Sequence, residues 1–284
     1  MRSYRATLVG LFGSPVDENP TGVMEEAAFA AAGLDYRYMT CLVSPPDLPA
    51  AMAAVRALHL RGVNLTIPHK VAAVAHVDEL SRAARLIGAI NVVVNEGGRL
   101  RGDNTDGKGF LASLADAGVE VAGTAVTVLG AGGAARAIGV ECALAGASLV
   151  RIVNRDPARG RALAGLLAEA TPARAEYLPW TGTAPVPVGT DILVNATCVG
   201  LAPDTQTRPD IGYDGITAAM AVCDVVLNDP DSRFLAAAEA RGARTVNGLG
   251  MLARQGALNF TAWTGVDAPL AVMEAVLRRE FEIA

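Results

Sequence analysis

The 284-residue sequence has few cysteines and few histidines, and their spacing excludes two kinds of site. Its four cysteines lie far apart, with no C-x-x-C pair, so neither a disulfide framework nor a zinc site is expected. Only three histidines are present, which disfavours a transition-metal centre. We therefore predict no metal ligands.

Long apolar runs and long basic runs are also missing. No stretch approaches the ~20 apolar residues that cross a bilayer. The apolar run that follows Met1–Arg5 is too short for a signal peptide, so we expect a cytoplasmic protein. A net charge of −5 without basic runs disfavours nucleic acid or an anionic membrane as partner. The expected partner is a small molecule, and the expected state is a monomer or a homodimer.

Hydrophobic residues make up 51% of the chain, which is enough for a buried core. Apolar, β-branched runs alternate with helical patterns from end to end, and this alternation predicts an α/β fold with a doubly wound parallel sheet. The length suggests two domains. One further stretch, residues 178–189, is rich in Pro, Thr and Gly, which predicts a loop inside the second domain.

A glycine-rich loop separates a predicted strand over residues 125–129 from a predicted helix over 134–145. It reads Gly130-Ala131-Gly132-Gly133-Ala134. Glycines there allow a tight turn and a close approach of the backbone, so a pyrophosphate can bind at the helix N-terminus. The strand–loop–helix context favours dinucleotide binding over a purely structural turn.

The next predicted strand ends at Asn154, where the choice between NAD and NADP is usually made. Arg155 and Arg159 follow, and arginine offers paired donors that suit a phosphate, so NADP is favoured and NAD is the alternative. Asp156 leaves the choice open, because its carboxylate either neutralises Arg155 or holds the ribose. The arginines also fit a purely structural role at a solvated helix start.

Lysine is scarce in this chain, since only Lys70 and Lys108 occur among 24 basic residues. A lysine can exchange a proton, whereas an arginine essentially cannot. Lys70 therefore suggests chemistry that needs a transferable proton, although an ordinary surface lysine is an equal alternative. Lys108 is assigned to an exposed helix.

Six dispersed motifs resemble those of the shikimate dehydrogenase family, which includes the quinate/shikimate dehydrogenases. They cover nearly the whole chain in the right order: Asn64-x-Thr66-x-Pro68-x-Lys70, Gly88-Ala89-x-Asn91, Gly102-x-Asn104-Thr105-Asp106-Gly107, Gly130-Ala131-Gly132-Gly133-Ala134, Asn195-Ala196-Thr197 and Gly248-x-Gly250-Met251-Leu252-x-x-Gln255. The resemblance implies a substrate domain over residues 1–105, completed by helices over 248–284. A Rossmann domain is implied over 106–247, with the active site in the cleft that the two domains form.

The resemblance also implies roles for single residues. Lys70 and Asp106 are expected to be the acid–base pair that moves the proton of a ring hydroxyl while hydride passes to or from a nicotinamide. The implied reaction interconverts shikimate, a cyclic hydroxy acid, and 3-dehydroshikimate. Residues implied in substrate binding are Asn19, Thr21, Asn64, Thr66, Asn91 and Gln255. Residues implied in cofactor binding are Gly130, Ala131, Gly132, Gly133, Ala134, Asn154, Arg155, Arg159, Thr197 and Gly248.

The sequence departs from the family pattern at two places. Where the family carries Ser-x-Ser for the substrate carboxylate, this chain has Asn19-Pro20-Thr21, and Leu227 replaces a substrate-facing tyrosine. These changes leave room for quinate or another cyclitol carboxylate as the substrate. A non-catalytic dinucleotide-binding regulator is disfavoured by the presence of Lys70 with Asp106. A folate-pathway dehydrogenase with a similar plan is disfavoured by Asn91 and the Gly102–Gly107 motif.

Overall fold

The computed structural model describes residues 4–201, 203–227 and 232–281. The chain divides into two compact units. The first contains the residues up to Thr105 together with those from Ala253 onward, and the second is Asp106–Leu252. The first unit was expected to resume at Gly248, but it resumes five residues later, at Ala253. The reason is that Gly248 and Gly250 pack on residues of the second unit. Leu227 lies beside Gly248, and Ser113 lies beside Gly250.

Fourteen strands and ten α-helices make up the described part of the chain. The strands are β1 (Thr7–Gly13), β2 (Tyr36–Leu42), β3 (Gly62–Leu65), β4 (Glu79–Leu80), β5 (Val92–Glu96), β6 (Arg99–Asp103), β7 (Ala125–Leu129), β8 (Leu149–Asn154), β9 (Arg174–Pro179), β10 (Ala184–Pro185), β11 (Ile192–Asn195), β12 (Ile211–Gly212), β13 (Ala221–Asp224) and β14 (Arg244–Val246). The helices are α1 (Thr21–Ala31), α2 (Leu48–Ala57), α3 (His69–Ala72), α4 (Arg82–Ile87), α5 (Asp106–Asp116), α6 (Gly133–Leu144), α7 (Pro157–Ala170), α8 (Arg233–Glu239), α9 (Gly248–Thr264) and α10 (Leu270–Glu280).

The first unit is built on a mixed six-stranded sheet in the order β2-β1-β3-β5-β6-β4. Helix α2 shows why its sequence folds this way, because Leu48, Met52 and Val55 recur at helical spacing and form one buried face. Helix α1 packs against α10. Phe29 of α1 stacks on Phe260 of α9, with ring centroids 5.3 Å apart.

The second unit is built on a six-stranded parallel sheet. Its order is β14-β13-β11-β7-β8-β9, and every neighbouring pair is parallel. Counted along the chain within this sheet, the order reads 6-5-4-1-2-3, which is the arrangement of dinucleotide-binding folds. In such a sheet ligands bind beyond the carboxyl ends of the strands, where the order reverses, here between β7 and β11. The predicted α/β fold with a Rossmann-type sheet is confirmed.

A loop was predicted over residues 178–189, but the structure places the last two residues of the edge strand β9 and the short strand β10 there. Side chains along β9 are alternately exposed and half-buried, so the strand lacks the continuous apolar run that marks the central strands. Strands β10 and β12 pair only with each other, over two residues each. Such short pairings depend on tertiary contacts rather than on local sequence. None of the helices in the described part of the chain has the length and hydropathy of a membrane-spanning segment.

Candidate functional site

Asn64 lies near the end of β3 and is almost completely buried. Its Nδ2 group donates to the backbone oxygen of Asn91 at 3.1 Å, and its Oδ1 accepts from the hydroxyl of Tyr38 at 2.8 Å. Burial, then the nearby Glu25 and Cys41, raise the pKa of Tyr38, so its hydroxyl stays a donor. Asn64 is therefore fixed by two partners and can support the residues around it.

Asn91 is the centre of a buried network of amide and hydroxyl groups. Its Oδ1 accepts from the backbone N–H of Thr105 at 2.8 Å, and its Nδ2 donates to the Thr105 hydroxyl at 3.0 Å and to Gln255 Oε1 at 3.3 Å. The Thr105 hydroxyl in turn donates to Asn259 Oδ1 at 2.8 Å, and Asn259 Nδ2 donates to Gln255 at 3.0 Å. All four side chains are at least nine-tenths buried. The network joins residues 91–105 to α9 and sets the orientation of its amides.

Lys70 and Thr66 lie on either side of the turn that follows β3. Thr66 is half-buried, and its backbone oxygen accepts from the N–H of His69 at 2.8 Å. Lys70 is half-buried on the short helix α3, and its backbone oxygen accepts from the N–H of Ile90 at 2.8 Å. Ile90, the donor of this bond, directly precedes Asn91, so the backbone of Lys70 lies beside the first residue of the amide network. The structure thus brings Lys70 next to the amide network within the first unit.

Asn19 and Thr21 stand at the start of α1. Asn19 Oδ1 accepts from the backbone N–H of Thr21 at 3.0 Å, so the amide oxygen is used to begin the helix and the Nδ2 group is the donor that can serve a ligand. Thr21 is buried. Asn19 therefore differs from a serine in more than volume, because half of its side chain is engaged by the backbone.

Glu25 lies one helical turn beyond Thr21 and is completely buried. Neither carboxyl oxygen has a hydrogen-bond partner among the described residues, and burial raises the pKa of this carboxyl well above its ordinary value. A Cβ atom added at Gly256 would lie 3.4 Å from Glu25 Oε1, which places the carboxyl against α9 at Gly256. Glu25 belongs to none of the sequence motifs.

The glycine-rich loop of the second unit is shaped for a ligand at the N-terminus of α6. Gly130 has φ +111°, and a Cβ atom there would lie 2.9 Å from the oxygen of Ala196, so only glycine fits. By contrast, Cβ atoms at Gly132 and Gly133 would meet nothing within 4 Å. No side chain caps the helix at Gly132, so its first N–H groups are available to an anion. Ala131 precedes this turn and Ala134 is the second residue of α6. These features fit a dinucleotide pyrophosphate.

The tip of β8 presents Asn154, Arg155, Asp156 and Arg159. Asp156 Oδ1 accepts from the backbone N–H groups of Ala158 and Arg159 at 2.9 and 3.2 Å, so this carboxylate caps α7. Asn154 Nδ2 donates to the backbone oxygen of Asp156 at 2.9 Å. Arg155 and Arg159 are exposed. One oxygen of the Asp156 carboxylate is engaged at the helix start, and the two exposed arginines flank it, so the tip suits a phosphate.

Thr197 is held by the carboxyl end of β11. Its hydroxyl donates to Asn195 Oδ1 at 2.7 Å and accepts from the N–H of Val199 at 3.1 Å. Asn195 Nδ2 donates to Asp224 Oδ1 at 2.9 Å, which ties this turn to the end of β13. Leu227 follows β13 and packs on Gly248, the first residue of α9. Asn228 and Asp229, which come directly after Leu227, lie outside the described residues.

The predicted site residues thus form two groups, one in each unit. The substrate-binding residues and Lys70 belong to the first unit, whereas Asp106 begins the second unit as the first, buried residue of α5. The predicted site residues did not include Thr105 and Asn259 of the amide network, nor Tyr38, which donates to Asn64. Asn259 had a readable signal, because it follows Gln255 by four residues on one helix face. Within the described residues, no group of three or more His, Cys, Asp or Glu could hold a metal ion.

Known proteins resemble this chain along almost its whole length. Two family models match it, one described as the shikimate dehydrogenase substrate binding domain over residues 11–93 and one as the shikimate 5′-dehydrogenase C-terminal domain over residues 248–278. The shikimate dehydrogenase (NADP(+)) of Moorella thermoacetica is 44% identical over 273 residues, which are 95% of this chain and 92% of that protein.

Two solved structures show the same fold. The ligand-free 5-ketofructose reductase of a Gluconobacter species has a TM-score of 0.93 at 45% identity, covering 98% of this chain and 99% of that one. The shikimate 5-dehydrogenase of Thermus thermophilus, in complex with NADP(H) and shikimate, has a TM-score of 0.85 at 38% identity, covering 96% of this chain and 99% of that one.

Proposed function

The chain belongs to the shikimate dehydrogenase family, and from this premise we propose that it interconverts shikimate and 3-dehydroshikimate with NADP. The observation that carries the proposal is the buried network around Asn91, next to Lys70. Amide groups held in fixed orientations suit the hydroxyl groups of a neutral ring, because they donate and accept hydrogen bonds without a buried charge.

We assign substrate binding to Thr66, Asn91 and Gln255, with Asn64 supporting them through its bonds to Tyr38 and Asn91. The hydroxyl of Thr66 and the amides of Asn91 and Gln255 bind ring hydroxyl groups. Asn19 Nδ2 and the hydroxyl of Thr21 bind the substrate carboxylate. These assignments give the ring one orientation, which a hydride transfer to one face requires.

Lys70 and Asp106 form the proposed acid–base pair. When the ring alcohol is oxidised, its carbon loses a hydride and its hydroxyl loses a proton. The Nζ atom of Lys70 takes that proton, and it returns the proton when the ketone is reduced. The family resemblance assigns Asp106 to this pair as the carboxylate that accompanies the lysine.

The second unit holds the cofactor. Bound NADP supplies the acceptor or donor of the hydride. Gly130, Ala131, Gly132, Gly133 and Ala134 leave the space and the N–H groups at α6 for the pyrophosphate. Asn154, Arg155 and Arg159 at the tip of β8 bind the phosphorylated ribose, and Thr197 and Gly248 shape the remaining walls of the site. The exposed guanidinium groups of Arg155 and Arg159 support NADP over NAD.

Replacing Lys70 tests the proposed chemistry. We expect Lys70→Ala to lower kcat for NADP-dependent shikimate oxidation by at least about 100-fold, with little change in NADP affinity. Lys70→Arg should lose as much, because an arginine keeps the positive charge but cannot give up a proton. The reaction is followed by the absorbance of NADPH. The matched control is Lys108→Ala, which replaces the other lysine of the sequence and should retain full activity.

Near-normal turnover of Lys70→Ala would remove Lys70 from the proton transfer. Retained activity in Lys70→Arg alone would show that Lys70 contributes only charge.

A second candidate function is the reduction of 5-ketofructose. It is favoured by the 45% identity to the Gluconobacter reductase and by the altered residues Asn19, Thr21 and Leu227. 5-Ketofructose is a neutral sugar without a carboxylate. A site for it does not need the two serine hydroxyls that the family uses for the substrate carboxylate, and the bond from the Thr21 N–H to Asn19 Oδ1 is compatible with such a substrate. NADPH consumption with 5-ketofructose in place of 3-dehydroshikimate tests this candidate, and no consumption would exclude it.

A further inference from the structure

Residues that follow three strands of the parallel sheet of the second unit line one cavity of about 280 Å³. Arg155 follows β8, Trp180 follows β9, and Thr197 follows β11. A fourth contribution comes from Arg208, in the segment that precedes β12. The cavity therefore lies at the carboxyl ends of the parallel strands, where this kind of sheet binds nucleotides.

The segment that carries Arg208 is fixed by hydrogen bonds to the two residues that follow it. Trp180 Nε1 donates to the backbone oxygen of Asp210 at 3.0 Å, and the Tyr213 hydroxyl donates to the backbone oxygen of Pro209 at 2.9 Å. The Arg208 guanidinium lies over the ring of Tyr213, with its central carbon 4.2 Å from the ring centroid. This cation–π contact orients an otherwise exposed side chain.

The charges around the cavity favour an anion. Two guanidinium groups, those of Arg155 and Arg208, line it, and Asp210 is the one carboxylate among its described lining residues. One oxygen of Asp210 already accepts from the hydroxyl of Thr183 at 2.8 Å. Two cations at one small cavity repel each other unless an anion offsets them, and a phosphate has enough acceptor oxygens for both.

We propose that Arg208 joins Arg155 in binding the 2′-phosphate of NADP and thereby helps to select NADP over NAD. The proposal rests on the proposed use of NADP and adds a residue that lies more than fifty positions beyond the tip of β8. Arg159, by comparison, is absent from the described residues that line the cavity. A planar guanidinium held over an aromatic ring matches a phosphate through two parallel donors.

Nucleotide binding measured by calorimetry tests this role without relying on turnover. The two probes are adenosine 2′,5′-bisphosphate and adenosine 5′-monophosphate, which differ only in the 2′-phosphate. Arg208→Ala should weaken binding of the bisphosphate about tenfold or more, the loss expected for a charge-assisted hydrogen bond. The affinity for the monophosphate should stay within about twofold. The bisphosphate affinity of Arg208→Lys should lie between those of the unaltered protein and Arg208→Ala, because lysine keeps the charge without the paired donors.

Arg161→Ala is the matched control. Arg161 lies in the same unit, with its guanidinium 5.8 Å from the ring centroid of Tyr177, and it is not among the described residues that line the cavity. This variant removes the same charge and should leave both affinities unchanged. Should Arg208→Ala fail to fold, Arg208→Gln replaces it, with the same expected loss.

Two results would overturn the proposal. Unchanged bisphosphate binding in Arg208→Ala, or equal losses for both probes, would show that Arg208 does not touch the 2′-phosphate. If the unaltered protein binds neither the bisphosphate nor NADP, the proposed cofactor is wrong, and this role of Arg208 is wrong with it.

Discussion

At the scale of single residues, amide side chains rather than charged ones fill the polar interior of the first unit. Asn64, Asn91, Gln255 and Asn259 each bond to other buried groups through one or both ends of the amide. Leaving one such group unpaired costs about 1–3 kcal/mol, so the members hold each other in place. A fixed amide can then present its remaining donor or acceptor in one direction only.

Glu25 is the exception, because its buried carboxyl has no hydrogen-bond partner among the described residues. Its pKa is raised by burial, so between its ordinary pKa of about 4.3 and the raised value the folded state binds one proton more than the unfolded state. The contribution of Glu25 to the free energy of unfolding is then fully present below about pH 4, and it is lost as the pH rises through that window.

Glu25→Leu should remove this dependence. We expect the melting temperature of the variant to exceed that of the unaltered protein, with a gain that grows between about pH 4 and pH 8. Thermal unfolding across this range measures the gain. The same replacement at the exposed Glu169 is the control and should change the melting temperature little. A gain that is independent of pH would mean that Glu25 does not keep its proton in the folded protein.

At the scale of elements, the strand–loop–helix unit β7–α6 contains the whole of the predicted pyrophosphate site. Strand β7 is buried, Gly130 takes a backbone conformation that other residues rarely adopt, and α6 begins without a side-chain cap. Each feature depends on a few adjacent residues. This is why the sequence alone was sufficient to predict the strand, the glycine turn and the helix.

Gly132→Val tests whether the space before α6 is used. A Cβ atom there meets nothing within 4 Å and the residue has an ordinary φ of −84°, so we expect the variant to fold with an unchanged melting temperature. The added methyl groups should weaken the binding of NADP and NAD in parallel, by about tenfold or more, because both share the pyrophosphate. Calorimetry measures both affinities.

The control for this prediction is Gly165→Val on α7, where a Cβ atom also has open space. It should leave both affinities unchanged. Equal binding of NADP by Gly132→Val and the unaltered protein would place the pyrophosphate elsewhere.

Elements that depend on distant contacts were harder to predict. Strand β9 lies at a sheet edge with an alternating, half-exposed pattern. Arg208 lines the cavity from a segment that accepts hydrogen bonds from Trp180 and Tyr213, which are distant from one another in the sequence. Likewise, whether Asp156 binds a ribose or caps a helix depends on the direction of its side chain. Residue types and spacing carry no information about these points.

At the scale of the whole molecule, the chain passes between its two units twice, at Thr105–Asp106 and at Leu252–Ala253. Both crossings lie beside proposed site residues, since Thr105 belongs to the amide network and Gln255 follows Ala253 closely. The first unit holds the groups proposed to bind the substrate, and the second holds those proposed to bind NADP. The family resemblance extends over both, but the altered residues Asn19, Thr21 and Leu227 all concern the substrate.

The most direct test of the proposed activity compares kcat/KM for shikimate with NADP and kcat/KM for 5-ketofructose with NADPH. Both are measured in the unaltered protein and in the triple variant Asn19→Ser, Thr21→Ser, Leu227→Tyr. We expect the unaltered protein to favour shikimate, and the triple variant to lower the KM for shikimate because it restores the hydroxyl donors for the carboxylate. Reduction of 5-ketofructose by the unaltered protein, together with no NADP-dependent oxidation of shikimate, would contradict the proposed activity.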